Sequence, residues 1–133
     1  MSNEEPASLS KVLIVDDETV IADTLQTIFS EALYEARAVY SAQQAIDEAK
    51  DWSPDLVIVD VILPCMNGID LAVLLRALCP NARILLFSGQ TAASDLLDQA
   101  RQDSHQFDVV PGPLESHALV NFASRLLFPG CEA

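Results

Sequence analysis

Two apolar stretches of this chain end in carboxylates. "LIVDDE" (13–18) runs from Leu13, Ile14 and Val15 directly into Asp16, Asp17 and Glu18, and "LVIVD" (56–60) ends on Asp60. Carboxylates held close together raise one another's proton affinity unless a cation compensates. A pocket of oxygen donors with room for water suits Mg2+ or Mn2+, whereas zinc and copper favour nitrogen and sulfur. Separately, the two clusters have plainer explanations. Asp16 to Glu18 would be favoured by the positive end of a following helix, and Asp60 would serve as a turn residue. Metal chemistry requires that the fold bring them to one place.

The rest of the chain provides a frame that does so. Apolar runs predict strands at "KVLIV" (11–15), "EARAVY" (35–40), "LVIV" (56–59), "RILLF" (83–87) and "FDVV" (107–110). Between them, apolar residues at three- and four-residue spacings predict helices over 20–33, 42–52, 69–78, 92–102 and 116–128. Thr19, Ser41, Thr91 and Ser116 stand at N-cap positions, and Pro54, Pro80 and Pro129 lie just past helix ends. Five strands each followed by a helix predict an α/β fold, a doubly wound five-stranded parallel sheet covered on both faces. The common arrangement is flavodoxin-like, (βα)5 with strand order 2-1-3-4-5. Strands 1 and 3 are then neighbours, and Asp16, Asp17 and Asp60 meet at the carboxyl edge, in the crevice where such sheets bind ligands.

With 133 residues, half of them apolar, the chain has the size and composition of one globular domain. Residues 1–10 read as a disordered polar lead-in, 11–128 as the domain and 129–133 as a tail. A net charge of −13 excludes direct nucleic-acid binding and anionic membrane surfaces as expected partners. No apolar run is long enough for a membrane span, and the acidic N-terminus lacks the pattern of a signal peptide, so a cytoplasmic protein is expected. Cys65, Cys79 and Cys131 form no CxxC pair and fit reduced thiols.

On "LIVDDE" (13–18), "DVILPCMNG" (60–68), "LLFSG" (85–89) and a proline in the fifth βα loop, the sequence resembles the receiver domain of two-component response regulators, similar to chemotaxis-type single-domain receivers. The resemblance covers roughly residues 11–128. It implies that Asp60 is the phosphoacceptor, taking a phosphoryl group from a histidine kinase or histidine phosphotransfer protein. By the same resemblance Asp17, Asp60 and the backbone carbonyl of Ile62 hold the metal directly, Asp16 acts through a coordinated water, and Ser88 hydrogen-bonds the phosphoryl group. Pro64 and Gly68 shape the loop leading to the third helix. The implied partner face comprises the fourth helix, fifth strand and fifth helix, which would also serve a homodimer. The implied output is a separate, unknown protein.

Two positions depart from the family. In "VVPGPLES" (109–116) Gly112, or Val110 if Pro111 is aligned instead of Pro113, stands where receivers carry a lysine that pairs with the phosphoryl group, and Val109 stands at the aromatic switch position. The Gly112–Pro113 bond is a candidate for the cis form. The seven basic residues offer no obvious substitute. Lys11, Arg37 and Arg83 are assigned to strand starts, and Lys50, Arg76, Arg101 and Arg125 to late helix positions, which all lie toward the edge opposite Asp60.

The reading is therefore a phosphorylation-dependent signalling module rather than an enzyme, with a pseudo-receiver working without phosphorylation as the alternative. An Asp-nucleophile phosphohydrolase is disfavoured by Ile62, where such enzymes carry an acid, and by the missing lysine. Cys65 is read as a small loop residue before an oxidisable thiol, His105 and His117 as solvated residues before metal ligands, and Trp52 and Phe128 as packing residues at helix ends.

Overall fold

In the computed structural model, residues 10–61, 63–64, 66–87, 108–109 and 116–128 are described, residues 108–109 and 116–117 by their backbone alone. Strand β1 (Lys11–Val15) leads to helix α1 (Thr19–Glu31), β2 (Glu35–Val39), α2 (Ala42–Trp52), β3 (Leu56–Asp60), α3 (Gly68–Leu78) and β4 (Arg83–Phe87). A two-residue β5 (Asp108–Val109) and a C-terminal helix (Ser116–Leu127) follow. The sheet is parallel in the order β2-β1-β3-β4-β5, as expected from the pattern of apolar runs. The fourth predicted helix, 92–102, lies outside the described residues.

Successive strand residues point to opposite faces, and both faces are covered. Leu13, Val15, Val57, Val59, Ile84 and Leu86 belong to one buried cluster with Ala45, Ala49 and Trp52 of α2 and Leu71, Ala72 and Leu75 of α3. The alternate residues Val12, Ile14, Leu56, Ile58, Leu85 and Phe87 pack with Ala22, Leu25 and Phe29 of α1 and with Leu119 and Ala123 of the C-terminal helix. Neither face of the central strands is free for polar residues, which is why they read as unbroken apolar runs. Strand β2 is the exception. Glu35 and Arg37 are exposed, as an edge strand permits.

Helix ends follow local chemistry with some corrections to the sequence expectation. Ser41 caps α2 by accepting the Gln44 N–H at 3.1 Å, and Lys50 lies in the last turn before Ser53 closes the helix at φ 55°. Helix α1 does not use Thr19 as its cap. Glu18 holds that position without a side-chain cap bond, and its own N–H donates to the Asp16 carboxylate at 2.9 Å. Asn67, not singled out in the sequence, caps α3 by accepting the Asp70 N–H at 2.9 Å. Trp52 is buried as expected, but Phe128 is 43% exposed and does not pack into a helix end. Arg37 lies in the middle of β2 rather than at its start, opposite Leu13.

A hydrogen bond ties the corner after α1 to the C-terminal helix, with Tyr34 Oη 2.5 Å from Ser124 Oγ. The Tyr34 ring also meets Phe29 edge-on, with centroids 5.5 Å apart.

Candidate metal and phosphoryl site

Strands β1 and β3 are hydrogen-bonded neighbours, with Val15 opposite Val59, so the residues that follow them emerge side by side. The backbone ladder continues one residue past each strand. Asp16 N–H donates to Val39 O at 3.2 Å, and Val61 N–H donates to Phe87 O at 3.0 Å. Both carboxylate-bearing segments are thereby fixed before the chain turns away. The third strand runs to Asp60 itself, one residue beyond its predicted end, and Asp60 sits opposite Phe87.

Asp16, Asp17 and Asp60 each direct a carboxylate oxygen into one group, all three oxygens lying within 4.8 Å of one another. Asp16 is fully buried and Asp60 is 3% exposed, while Asp17 faces solvent. One oxygen of Asp16, Oδ1, accepts the Glu18 N–H at 2.9 Å. Its other oxygen, Oδ2, is buried without a hydrogen-bond partner among the described residues. Burial pushes the Asp16 carboxyl above its ordinary range. The Glu18 N–H and the adjoining Asp60 carboxyl pull it back, and the charges of Asp17 and Glu18 add to the rise. A buried acceptor without a donor is costly, a cost that a proton on Asp16 or a bound cation would remove. The donor set, carboxylates alone among the described residues and open to water on the Asp17 side, fits Mg2+ or Mn2+.

Gly68 shapes this site more directly than its sequence context implied. Its N–H donates to Val61 O at 2.8 Å, placing the first turn of α3 against the end of β3. A Cβ at this position would collide with the carbonyl oxygen of Asp60 and come within 2.6 Å of Val61 Cα. Only glycine permits that approach. The signal in the sequence is the glycine at the far end of "DVILPCMNG", which an ordinary turn explains equally well without the contact to Asp60.

The described basic residues lie away from Asp16, Asp17 and Asp60. Lys11 Nζ donates to Trp52 O at 3.3 Å, at the C-terminal end of α2. Arg37 pairs with Glu48 and lies 4.3 Å from the Trp52 ring centroid. Arg76 donates to Ala82 O at 3.1 Å, in the turn preceding β4. Lys50 and Arg125 occupy the last turns of their helices, and Arg83 opens β4. Arg101 lies outside the described residues, as do Ile62, Cys65, Ser88, His105, Gly112 and the Gly112–Pro113 bond. Val109 is placed in β5 opposite Leu86 by its backbone.

The sequence pattern of the response regulator receiver domain matches residues 12–122. The chain belongs to this family. Chemotaxis protein CheY of Thermotoga maritima is 31% identical over 102 residues, covering 76% of this chain and 85% of that protein. The DNA-binding transcriptional regulator NtrC of Azospirillum brasilense is 28% identical over 120 residues, covering 90% of this chain but 24% of the regulator. Among solved structures, the receiver domain of NtrX from Brucella abortus matches with a TM-score of 0.75 at 27% identity, covering 87% of this chain and 97% of that one. Vibrio cholerae CheY4 shares the fold at a TM-score of 0.79 and 24% identity, covering 90% of this chain and 100% of its own. The protein is thus a response regulator receiver domain of two-component signalling, with the sheet order and acidic pocket that the sequence predicted. Another relative is the DNA-binding response regulator MtrA of Mycobacterium leprae, 32% identical over 88 residues, covering 66% of this chain and 37% of that protein. No helix among the described residues is long and apolar enough to cross a membrane.

Proposed function

We propose that this receiver accepts a phosphoryl group on Asp60 from a histidine kinase or histidine phosphotransfer protein and signals through contacts with another protein. The observation that carries this reading is the meeting of Asp16, Asp17 and Asp60 within 4.8 Å at the ends of adjacent strands, with Asp16 Oδ2 buried and unpartnered. Asp17 and Asp60 would hold Mg2+ or Mn2+ directly together with the Ile62 carbonyl, and Asp16 would hold it through water. When bound, the ion neutralises charge on the phosphoryl oxygens during transfer.

The chain's own residues do the rest. The Asp60 carboxylate is the nucleophile: one of its oxygens forms a bond to phosphorus as the bond from phosphorus to the donor's imidazole nitrogen breaks, and the electron pair leaves with the imidazole. Its low exposure limits water's access to the resulting acyl phosphate. Gly68 and the Val61 amide hold the Asp60 backbone in place, and Ser88 would hydrogen-bond the transferred group. The module has no substrate turnover of its own beyond accepting and losing this group.

A second reading is a pseudo-receiver that signals without phosphorylation. It is favoured by Gly112 at the lysine position and by the placement of the described basic residues away from the pocket. One experiment separates the two. With Mg2+ and acetyl phosphate, the intact mass should rise by a single phosphoryl group, and Asp60→Asn should abolish the rise. Labelling that persists in Asp60→Asn would refute the assignment of the acceptor, and no labelling of the wild type would favour the pseudo-receiver.

A further inference from the structure

Among the described residues, a phosphorylated pocket of this composition is short of positive charge. Asp16 and Asp17 keep their carboxylates there, Glu18 stands exposed beside them, and a phosphoryl group on Asp60 carries roughly 1.5 to 2 negative charges at neutral pH in place of the carboxylate's one. A single divalent ion does not balance that sum. In most proteins a lysine or arginine nearby would.

The described cations cannot reach. Asp60 pairs with Phe87 and Leu56 with Arg83, so Arg83 starts about 13 Å below the pocket along the strand. Lys11 is separated from Val15 by the same number of strand steps, and its ammonium is turned to Trp52 O. Arg37 is drawn to Glu48 and Trp52, and Arg76 to Ala82 O. Lys50 and Arg125 sit in last helical turns, at the ends remote from the strands' carboxyl edge.

We propose that the missing cation is supplied in trans: the phosphorylated pocket is read by a polypeptide segment that places a Lys or Arg side chain over the Asp60 phosphoryl group, with Asp17 and Glu18 as the acidic rim that receives it. This rests on the reading of Asp60 as phosphoacceptor and names the chemistry of the partner for that same site. A second copy of this chain is a poor occupant, since its net charge of −13 repels its twin. A nucleic acid is excluded on the same ground. A basic segment is attracted, and the attraction rises when the phosphoryl group arrives, which makes docking conditional on phosphorylation.

The test uses a fluorescent hexalysine peptide, with hexaserine as control, at constant ionic strength. The full chain is charged with acetyl phosphate and Mg2+, and intact mass is recorded on the same sample. Phosphorylation should tighten hexalysine binding about tenfold, well above the small effect of one added charge at a screened surface. Gly112→Lys, which offers a cation within the chain, should reduce the gain to less than about twofold. Glu18→Lys is the second variant, because the exposed Glu18 side chain makes no cap bond, and it should do the same. A sample that carries the phosphoryl mass yet binds hexalysine no more tightly than before overturns the inference alone. An equal gain in both lysine variants also overturns it. A wild-type sample that never gains the mass overturns the assignment of Asp60, and the inference with it.

Discussion

The N–H of Gly68 donates to the carbonyl of Val61 at 2.8 Å, so that the first turn of α3 rests on the backbone of the residue next to Asp60. This contact makes the position of the acidic pocket depend on a residue that carries no functional group. A methyl group there would press on the Asp60 carbonyl and the Val61 Cα.

Gly68→Ala should therefore lower stability by about 2 kcal/mol or more, as overpacking against backbone does, and weaken Mg2+ binding as Asp60 shifts. Urea midpoints measured with and without Mg2+ report both effects. An unchanged midpoint would show that α3 can retreat without cost.

Divalent metal should stabilise the folded chain by linkage, by about 2.7 kcal/mol at a hundred times the dissociation constant. Thermal unfolding across a Mg2+ titration checks this. Asp17→Asn and Asp60→Asn should each flatten the response, while Asp70→Asn, on the exposed face of α3, should leave it intact.

The raised pKa of Asp16 has a definite sign in stability. The folded state holds this proton more tightly than the unfolded chain, so the metal-free protein gains from protonation at low pH and loses that gain as pH rises from the unfolded carboxylate value of 3.8 through the higher folded one. Asp16→Asn removes the buried charge. At neutral pH without metal it should melt several degrees higher than the wild type, and it should lose most of the Mg2+-dependent increase. Melting curves with EDTA and with Mg2+ distinguish the two effects.

Tyr34→Phe removes the hydroxyl that meets Ser124 and should cost about 1 kcal/mol. The loss should be the same with and without Mg2+, since the bond lies on the α1 and C-terminal helix side and does not involve the acidic residues. A larger loss in Mg2+ would indicate that the two regions communicate.

Much of this was legible in the sequence because the relevant physics is local or periodic. The central strands are buried on both faces and therefore read as apolar runs, and Ser41 and Pro54 mark the ends of α2 by their own backbone chemistry. The meeting of Asp16 and Asp60 followed from a strand order, not from spacing, and it depended on right-handed crossovers to place β1 beside β3. What stayed hidden were contacts between distant segments. Thr19 looked like a cap by residue type, but it is the first helical residue and Glu18 precedes it at the cap. Gly68 looked like a turn glycine because its clash partner is the backbone of Asp60. Phe128 looked like a packing residue by type alone, and its exposure reflects where the C-terminal helix ends.

The outer flank of β2 carries a further consequence. Edge strands are open templates for another chain's backbone, and charged side chains along them discourage such pairing. Glu35 and Arg37 occupy alternate exposed positions on that strand, and Arg37 is held by Glu48 and the Trp52 ring. An intruding strand would have to strip water from these charges or break the pairing. The fold thus guards itself on this side against growth by sheet extension, an inbuilt protection from aggregation in a chain whose interior strands are among the most apolar segments it has.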